Sequence, residues 1–276
     1  MRLRGAERER AAALPFAVLA VGSIEYHGAH GPFGTDTLVA NGFAERLAER
    51  RPCLVFPPVA YTFVPRLTRR FGPAASVAPG PFLAYLTEVL RGVLDLGPRR
   101  LLVINGHSEN QHALRLAAEV ACEGDPQASV VIANWWKLIA EPIDGAPPKG
   151  GGAPADGGTP AEGGTPAGWA EADGFGHGHG GPLEMSVAAA FDARGVERPD
   201  GEAADVPYEA PWWRAAAQVV GRGQAPVGFA GYHGRVSTID LDRGRRLVDE
   251  VTDGLVRLVD DWVARVDDVG SEDGTG

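Results

Sequence analysis

This chain has little sulfur and little positive charge. Its 276 residues include two cysteines, Cys53 and Cys122, and two methionines. Two thiols far apart make neither a disulfide framework nor a metal cluster of their own. Each cysteine lies beside apolar residues and reads as an inert buried thiol. Lys and Arg total 26 against 36 Asp and Glu, for a formal net charge of −10. Phosphate backbones and anionic membranes need clustered cations, so neither nucleic acid nor a membrane is an expected partner. The short basic runs around Arg2 and Arg4, and around Arg66, Arg69 and Arg70, form no broad patch and read as solvated surface. No apolar stretch approaches the length of a membrane span. Near the N-terminus, Arg2, Arg4, Glu7, Arg8, Glu9 and Arg10 precede an apolar run too short and too acidic in its approach for a secretory signal. These absences together imply a cytoplasmic protein.

Hydrophobic residues make up 44% of the chain and charged residues 22%, enough to fill an ordinary core. The length suits one large α/β domain spanning residues 1–276. Apolar runs at 15–21, 53–56, 100–104 and 129–133 read as buried strands, the second stopped by Pro57 and Pro58. Between and after them, helical periodicity covers about 36–50, 82–96, 110–123, 182–192 and 242–266, with Asp36 or Thr37 as the cap of the first helix. Strands alternating with helices at this spacing predict right-handed βαβ units and a mostly parallel central sheet flanked by helices. Residues 141–181 are dominated by Gly, Pro, Ala and acidic side chains and cannot fill a core, so they read as a mobile loop, a lid or an insert. Residues from about 268 to 276 read as a disordered tail.

The chemistry concentrates behind the first and third strands. Glu25 and His27 stand two apart in a glycine-bounded segment after the first strand. In extended backbone, such a pair points to one side. Asp36 follows after a turn containing Gly31, Pro32 and Gly34, and a carboxylate can bridge two ions. Behind the third strand, His107 and Glu109 repeat the His and carboxylate pairing within Asn105-Gly106-His107-Ser108-Glu109-Asn110. Open α/β sheets gather their sites at such carboxyl ends. Imidazole and carboxylate together suit Zn, Mn, Fe or Co.

These stretches, together with His179-Gly180-Gly181-Pro182-Leu183-Glu184-Met185-Ser186 and the glycine-rich turn at 228–234, resemble the creatininase (creatinine amidohydrolase) family over about residues 15–265, the Gly/Pro-rich loop excepted. The resemblance implies a creatininase-like α/β fold, a homo-oligomer such as a hexamer, and two divalent metal ions, Zn or Mn with Fe as an alternative. It places one ion on Glu25, Asp36 and His107, and the other on His27, Asp36 and Glu109. It aligns His179 with the family's catalytic histidine; His177 has no such counterpart. The chain departs from the family in having Tyr26 for Gln, Ala29 for Pro, Gly31 for Leu, Gly178 for a Glu and Met185 for a Thr.

Four further residues stand as second-layer or pocket candidates: His30, Glu184, Trp135 and Trp136. His30 reads as a loop-shaping hydrogen bonder. Glu184 reads either as an orienting group or as a helix N-terminal acid. Functionally, the resemblance implies a metal-dependent hydrolase of a non-peptide amide-type C–N bond in a small molecule. The family also contains a pyrimidine-intermediate deformylase and the mycofactocin peptidase. A non-catalytic metal-binding homologue is the alternative from another class.

Overall fold

The structure is a computed structural model, and it describes residues 13–96, 98–139, 178–206 and 228–272. Most of the expected loop at 141–181, together with His177, lies outside the described residues. Among the described residues, four parallel strands form the sheet: β1 (Ala17–Val21), β2 (Leu54–Val59), β3 (Arg100–Asn105) and β4 (Ser129–Asn134), in the order β2-β1-β3-β4. The helices are α1 (Thr35–Arg50), the single turn α2 (Arg66–Arg69), α3 (Pro79–Leu96), α4 (Asn110–Cys122), α5 (Pro182–Phe191) and α6 (Leu241–Glu272). Among the described residues, no helix is long and apolar enough to cross a membrane.

Strand geometry explains the two-sided core. Successive side chains of a strand point to opposite faces. Val18 and Ala20 of β1, with Leu102 and Ile104 of β3, face α1, α5 and α6. Ala17, Leu19, Val21, Leu101 and Val103 face α3 and α4. Both faces of β1 and β3 are thus covered, which is why these strands read as unbroken apolar runs. Helix α6 lays Leu247, Val248, Val251, Leu255 and Val259 on the first face, and Trp262 Nε1 donates to Ser129 Oγ at 2.9 Å.

The order of the strands locates the site. From β1 the chain crosses to β2 on one side, then returns past β1 to β3 on the other. The sheet therefore changes direction between β1 and β3, leaving a crevice at their carboxyl ends. Two glycines let the start of α1 sink into it. A Cβ on Gly22, just past β1, would lie 2.3 Å from Thr37 N, and one on Gly106, just past β3, would lie 2.2 Å from Asp36 O. Only glycine allows so close a backbone approach.

Three expectations are corrected. Pro57 and Pro58 do not stop β2, which runs through them to Val59. Strand β2 is at the sheet edge, both prolines are exposed, and the register with β1 slips there, so no ladder hydrogen bond is lost to their missing N–H groups. Neither Asp36 nor Thr37 caps α1; Gly34 occupies that position, and Asp36 lies inside the first turn with its carboxylate engaged elsewhere. Helix α6 continues to Glu272, beyond the expected end at 266 and into the expected tail. Both cysteines are free and half-buried; burial pushes the Cys53 thiol up to about 11, and burial with Asp125 and Glu119 raises that of Cys122.

This layering makes a stability contrast. Leu102 is wholly buried at the centre of the sheet, whereas Leu116 on α4 is 56% exposed. Leu102→Ala is expected to cost about 2–5 kcal/mol in chemical denaturation, and Leu116→Ala no more than about 0.5 kcal/mol.

Candidate metal centre

Three carboxylates and three imidazoles converge behind β1 and β3. Glu25 and His27 come from the loop after β1, Asp36 from the first turn of α1, and His107 from the turn between β3 and α4. His179 and Glu184 come from the start of α5 and the residues before it. The loop after β1 is closed by Glu25 N–H donating to Phe33 O at 2.8 Å. Glu25 and His27 are fully buried, Asp36 and His107 nearly so.

The histidines share one pattern. A backbone carbonyl can only accept, so a ring nitrogen bonded to it must carry the proton. His27 Nδ1 donates to Glu25 O at 3.0 Å, His107 Nε2 to Phe63 O at 3.2 Å, and His179 Nε2 to Tyr26 O at 2.6 Å. The other nitrogen of each ring then faces carboxylates. His27 Nε2 lies 3.0 Å from Asp36 Oδ1 and 3.7 Å from Glu184 Oε2. His107 Nδ1 lies 3.0 Å from Glu25 Oε1 and 3.1 Å from Asp36 Oδ2. His179 Nδ1 lies 3.6 Å from Glu25 Oε1, and its ring centroid is 4.3 Å from that of His27. A lone pair pressed against carboxylate oxygens is repulsive unless a proton or a cation stands between them. Backbone anchoring of the far nitrogen is also how metal-binding histidines are oriented.

The carboxylates are supported in turn. Ser23 Oγ donates to Asp36 Oδ2 at 2.6 Å, Thr68 Oγ1 to Glu25 Oε2 at 2.7 Å, and Gly180 N–H to Glu184 Oε2 at 2.8 Å. Glu25 Oε1 is buried and accepts no hydrogen bond, despite its 3.0 Å approach to His107 Nδ1. A buried carboxylate oxygen with no aligned donor, facing the inner nitrogens of two backbone-anchored imidazoles, fits a divalent cation.

Without a cation, the groups compensate one another electrostatically. Burial works most strongly against charge on His27, but Asp36 and Glu184 outweigh it and raise the imidazole to about 10. Burial likewise opposes charge on His107, and Glu25 and Asp36 raise it well above the usual range. Burial would raise Glu25 and Asp36. His107 and His179 instead hold Glu25 below its ordinary value, and His27 and His107 hold Asp36 well below its own. Glu184, where burial prevails over the pull of His27, is pushed up to about 7. His179 is lowered to about 4, by burial first and then by the charge on His27.

Ligand atoms lie close enough to hold an ion in three sets: Glu25 with Asp36 and His107; His27 with Asp36 and Glu184; and Glu25 with His27 and His179. Of the five residues expected to bind metal, the structure brings together Glu25, His27, Asp36 and His107, but not Glu109. Glu109 sits in helical backbone conformation at the cap of α4, exposed to solvent. Its pairing with His107 presumed extended backbone, and the chain turns into α4 immediately after His107. Glu184, expected either as an orienting group or as a helix N-terminal acid, lies in the first turn of α5 with its carboxylate 3.7 Å from His27 Nε2. Its place in the first turn of α5 was the sequence signal available, and only folding shows it beside His27. Thr68 and Ser23 were missed, because a hydroxyl partner carries no motif.

The remaining candidates lie outside the cluster. His30 Nε2 donates to Gly180 O at 2.7 Å, tying the β1 loop to the α5 entrance, and its ring packs edge-on against Tyr232. Trp135 is buried in the core rather than lining a pocket, packed against Phe43 and edge-on to the half-buried Trp136. His112 is exposed.

Comparison with known proteins places the fold and the family. The chain is 28% identical over 134 residues to 3-dehydro-scyllo-inosose hydrolase of Thermotoga maritima, covering 49% of this chain and 43% of that one. It is 28% identical over 134 residues to creatinine amidohydrolase of Pseudomonas putida, covering 45% and 52%. It is 32% identical over 110 residues to the mycofactocin precursor peptide peptidase of Mycolicibacterium smegmatis, covering 38% and 44%. The chain thus spans about half the length of the curated relatives it matches. Its fold is that of a variant creatininase of Zn–Zn type (TM-score 0.71, 20% identity, 95% of this chain and 96% of that one) and of a manganese creatininase (TM-score 0.69, 21% identity, 95% and 97%). Residues 3–259 match the family described as creatinine amidohydrolase, and the chain belongs to that creatininase family.

Proposed function

We propose that this protein is a metal-dependent amidohydrolase that cleaves a non-peptide amide-type C–N bond of a small molecule, using two divalent ions, Zn or Mn with Fe as an alternative. The observation that carries this reading is the shared histidine pattern: three rings anchored to backbone carbonyls, each turning its other nitrogen toward buried carboxylates. Glu25, Asp36 and His107 would hold one ion, and His27, Asp36 and Glu184 the other, with Asp36 shared. Ions held there would acidify a water molecule and polarise a carbonyl. The relatives are a hydrolase, an amidohydrolase and a peptidase, which supports hydrolysis, and they differ in substrate.

The protein's own part in proton transfer falls to His179. Its Nε2–H is fixed on Tyr26 O, so Nδ1 is the one atom free to exchange a proton. Burial disfavours charge on the ring, which keeps it neutral and leaves Nδ1 able to accept. A proton taken there from the attacking water can pass to the departing nitrogen, which is a poor leaving group until protonated. Asp36 and Glu25, being held below their ordinary range, remain ionised and cannot supply it.

Metal analysis tests the ligand sets. Asp36→Ala is expected to lose most of both ions. Glu184→Gln should weaken one, and Glu109→Gln should leave content unchanged. Full metal content in Asp36→Ala would overturn the shared-ligand arrangement, and loss in Glu109→Gln alone would restore the ligand set first expected.

Kinetics test the proton carrier, once metal-reconstituted protein has been screened against cyclic amides, formamides and short peptides. His179→Ala should keep its metals and lose about 10²–10⁴ in kcat. His112→Ala, on the exposed face of α4, should match the unaltered protein. An equally small effect of both would mean that the proton travels by another group.

A further inference from the structure

We infer that Thr68 is a positioning residue that decides which oxygen of Glu25 is offered to a cation. The inference rests on the reading of Glu25 as a metal ligand. Thr68 lies on α2, a single helical turn whose other polar side chains, Arg66 and Arg69, are exposed. It is the one buried residue of that turn, 4% exposed. A hydroxyl has one proton to give. Two acceptors are in reach, Glu25 Oε2 at 2.7 Å and Pro65 O at 3.3 Å. The shorter contact is to a charged oxygen, and such bonds are about twice as strong as neutral ones. The proton therefore goes to Glu25.

One oxygen of Glu25 is thus occupied and the other is bare. Oε1 has no hydroxyl or amide donor, and it is the oxygen facing Nδ1 of His107 at 3.0 Å and Nδ1 of His179 at 3.6 Å. With Oε2 tied to α2, the carboxylate cannot swing to present both oxygens to one ion.

The turn does not require this bond for its own shape. Arg69 N–H donates to Pro65 O at 3.3 Å and Phe71 N–H to Thr68 O at 3.0 Å, which close it through the backbone. A residue of similar volume without the hydroxyl should therefore fold normally and release Glu25. Partners that orient metal ligands are typically worth ten- to a hundredfold in metal affinity.

The test uses the full-length protein loaded with Zn²⁺ and, separately, with Co²⁺. Competition with a chelator should show Thr68→Val about ten- to a hundredfold weaker for one of its two ions, and its Co²⁺ absorption spectrum should change as the carboxylate binds differently. Thr68→Ser keeps the hydroxyl and should restore both. Thr68→Ala stands in should the valine variant not fold. Unchanged affinity and spectrum in Thr68→Val would overturn the inference. So would equal losses in the serine and valine variants that track a lowered unfolding midpoint, the mark of a purely structural role. Were the unaltered protein to hold neither ion, the metal-centre reading would fall first and this inference with it.

Discussion

Burying carboxylates is costly, and the interior of this protein contains three of them within reach of three imidazoles. An isolated buried carboxylate would take up a proton sooner than remain charged. Glu25 and Asp36 stay ionised only because positive charge is held against them. Much of the surrounding architecture supplies that charge at a fixed place. The crevice between β1 and β3 brings two loops together, glycines at 22 and 106 admit the start of α1, and backbone carbonyls set the tautomer of each histidine. Whether protons or a divalent cation supply the charge, the requirement for it is the same.

A second layer keeps the cluster from relaxing. Ser23, Thr68 and the Gly180 N–H each fix one oxygen of a different carboxylate. Beneath His107, Asn105 Oδ1 accepts from the His107 N–H at 3.1 Å, and Asn110 Nδ2 donates across to Gly22 O at 2.9 Å. The β1 loop and the β3 turn are thereby tied to each other as well as to the sheet. Such a network, satisfied nearly throughout, gives one geometry rather than several.

Much of this was legible in the sequence. The four strands announce themselves because both faces of a covered parallel sheet are apolar, and Glu25, His27, Asp36 and His107 stand out because ligand-type residues follow strands beside glycines. The spacing rule failed at Glu109 for a local reason: it holds in extended backbone, and Glu109 is helical. Thr68 was hidden by its company, since the arginines around it make the turn read as plain surface while its partner lies 43 positions away. Proline at 57 and 58 reads as a stop because the rule concerns donors in a ladder, and the sequence does not say which strand will lie at an edge.

Those same prolines bear on how copies of this chain can meet. An open sheet edge is a template on which another chain can lay down a strand, and natural proteins blunt such edges. Here the outer strand carries two consecutive residues with no N–H to donate, at a point where its register already slips. A strand from a neighbouring molecule would find no continuous ladder there. Among the described residues, any association through this flank would rest on side-chain packing between folded surfaces rather than on strand pairing.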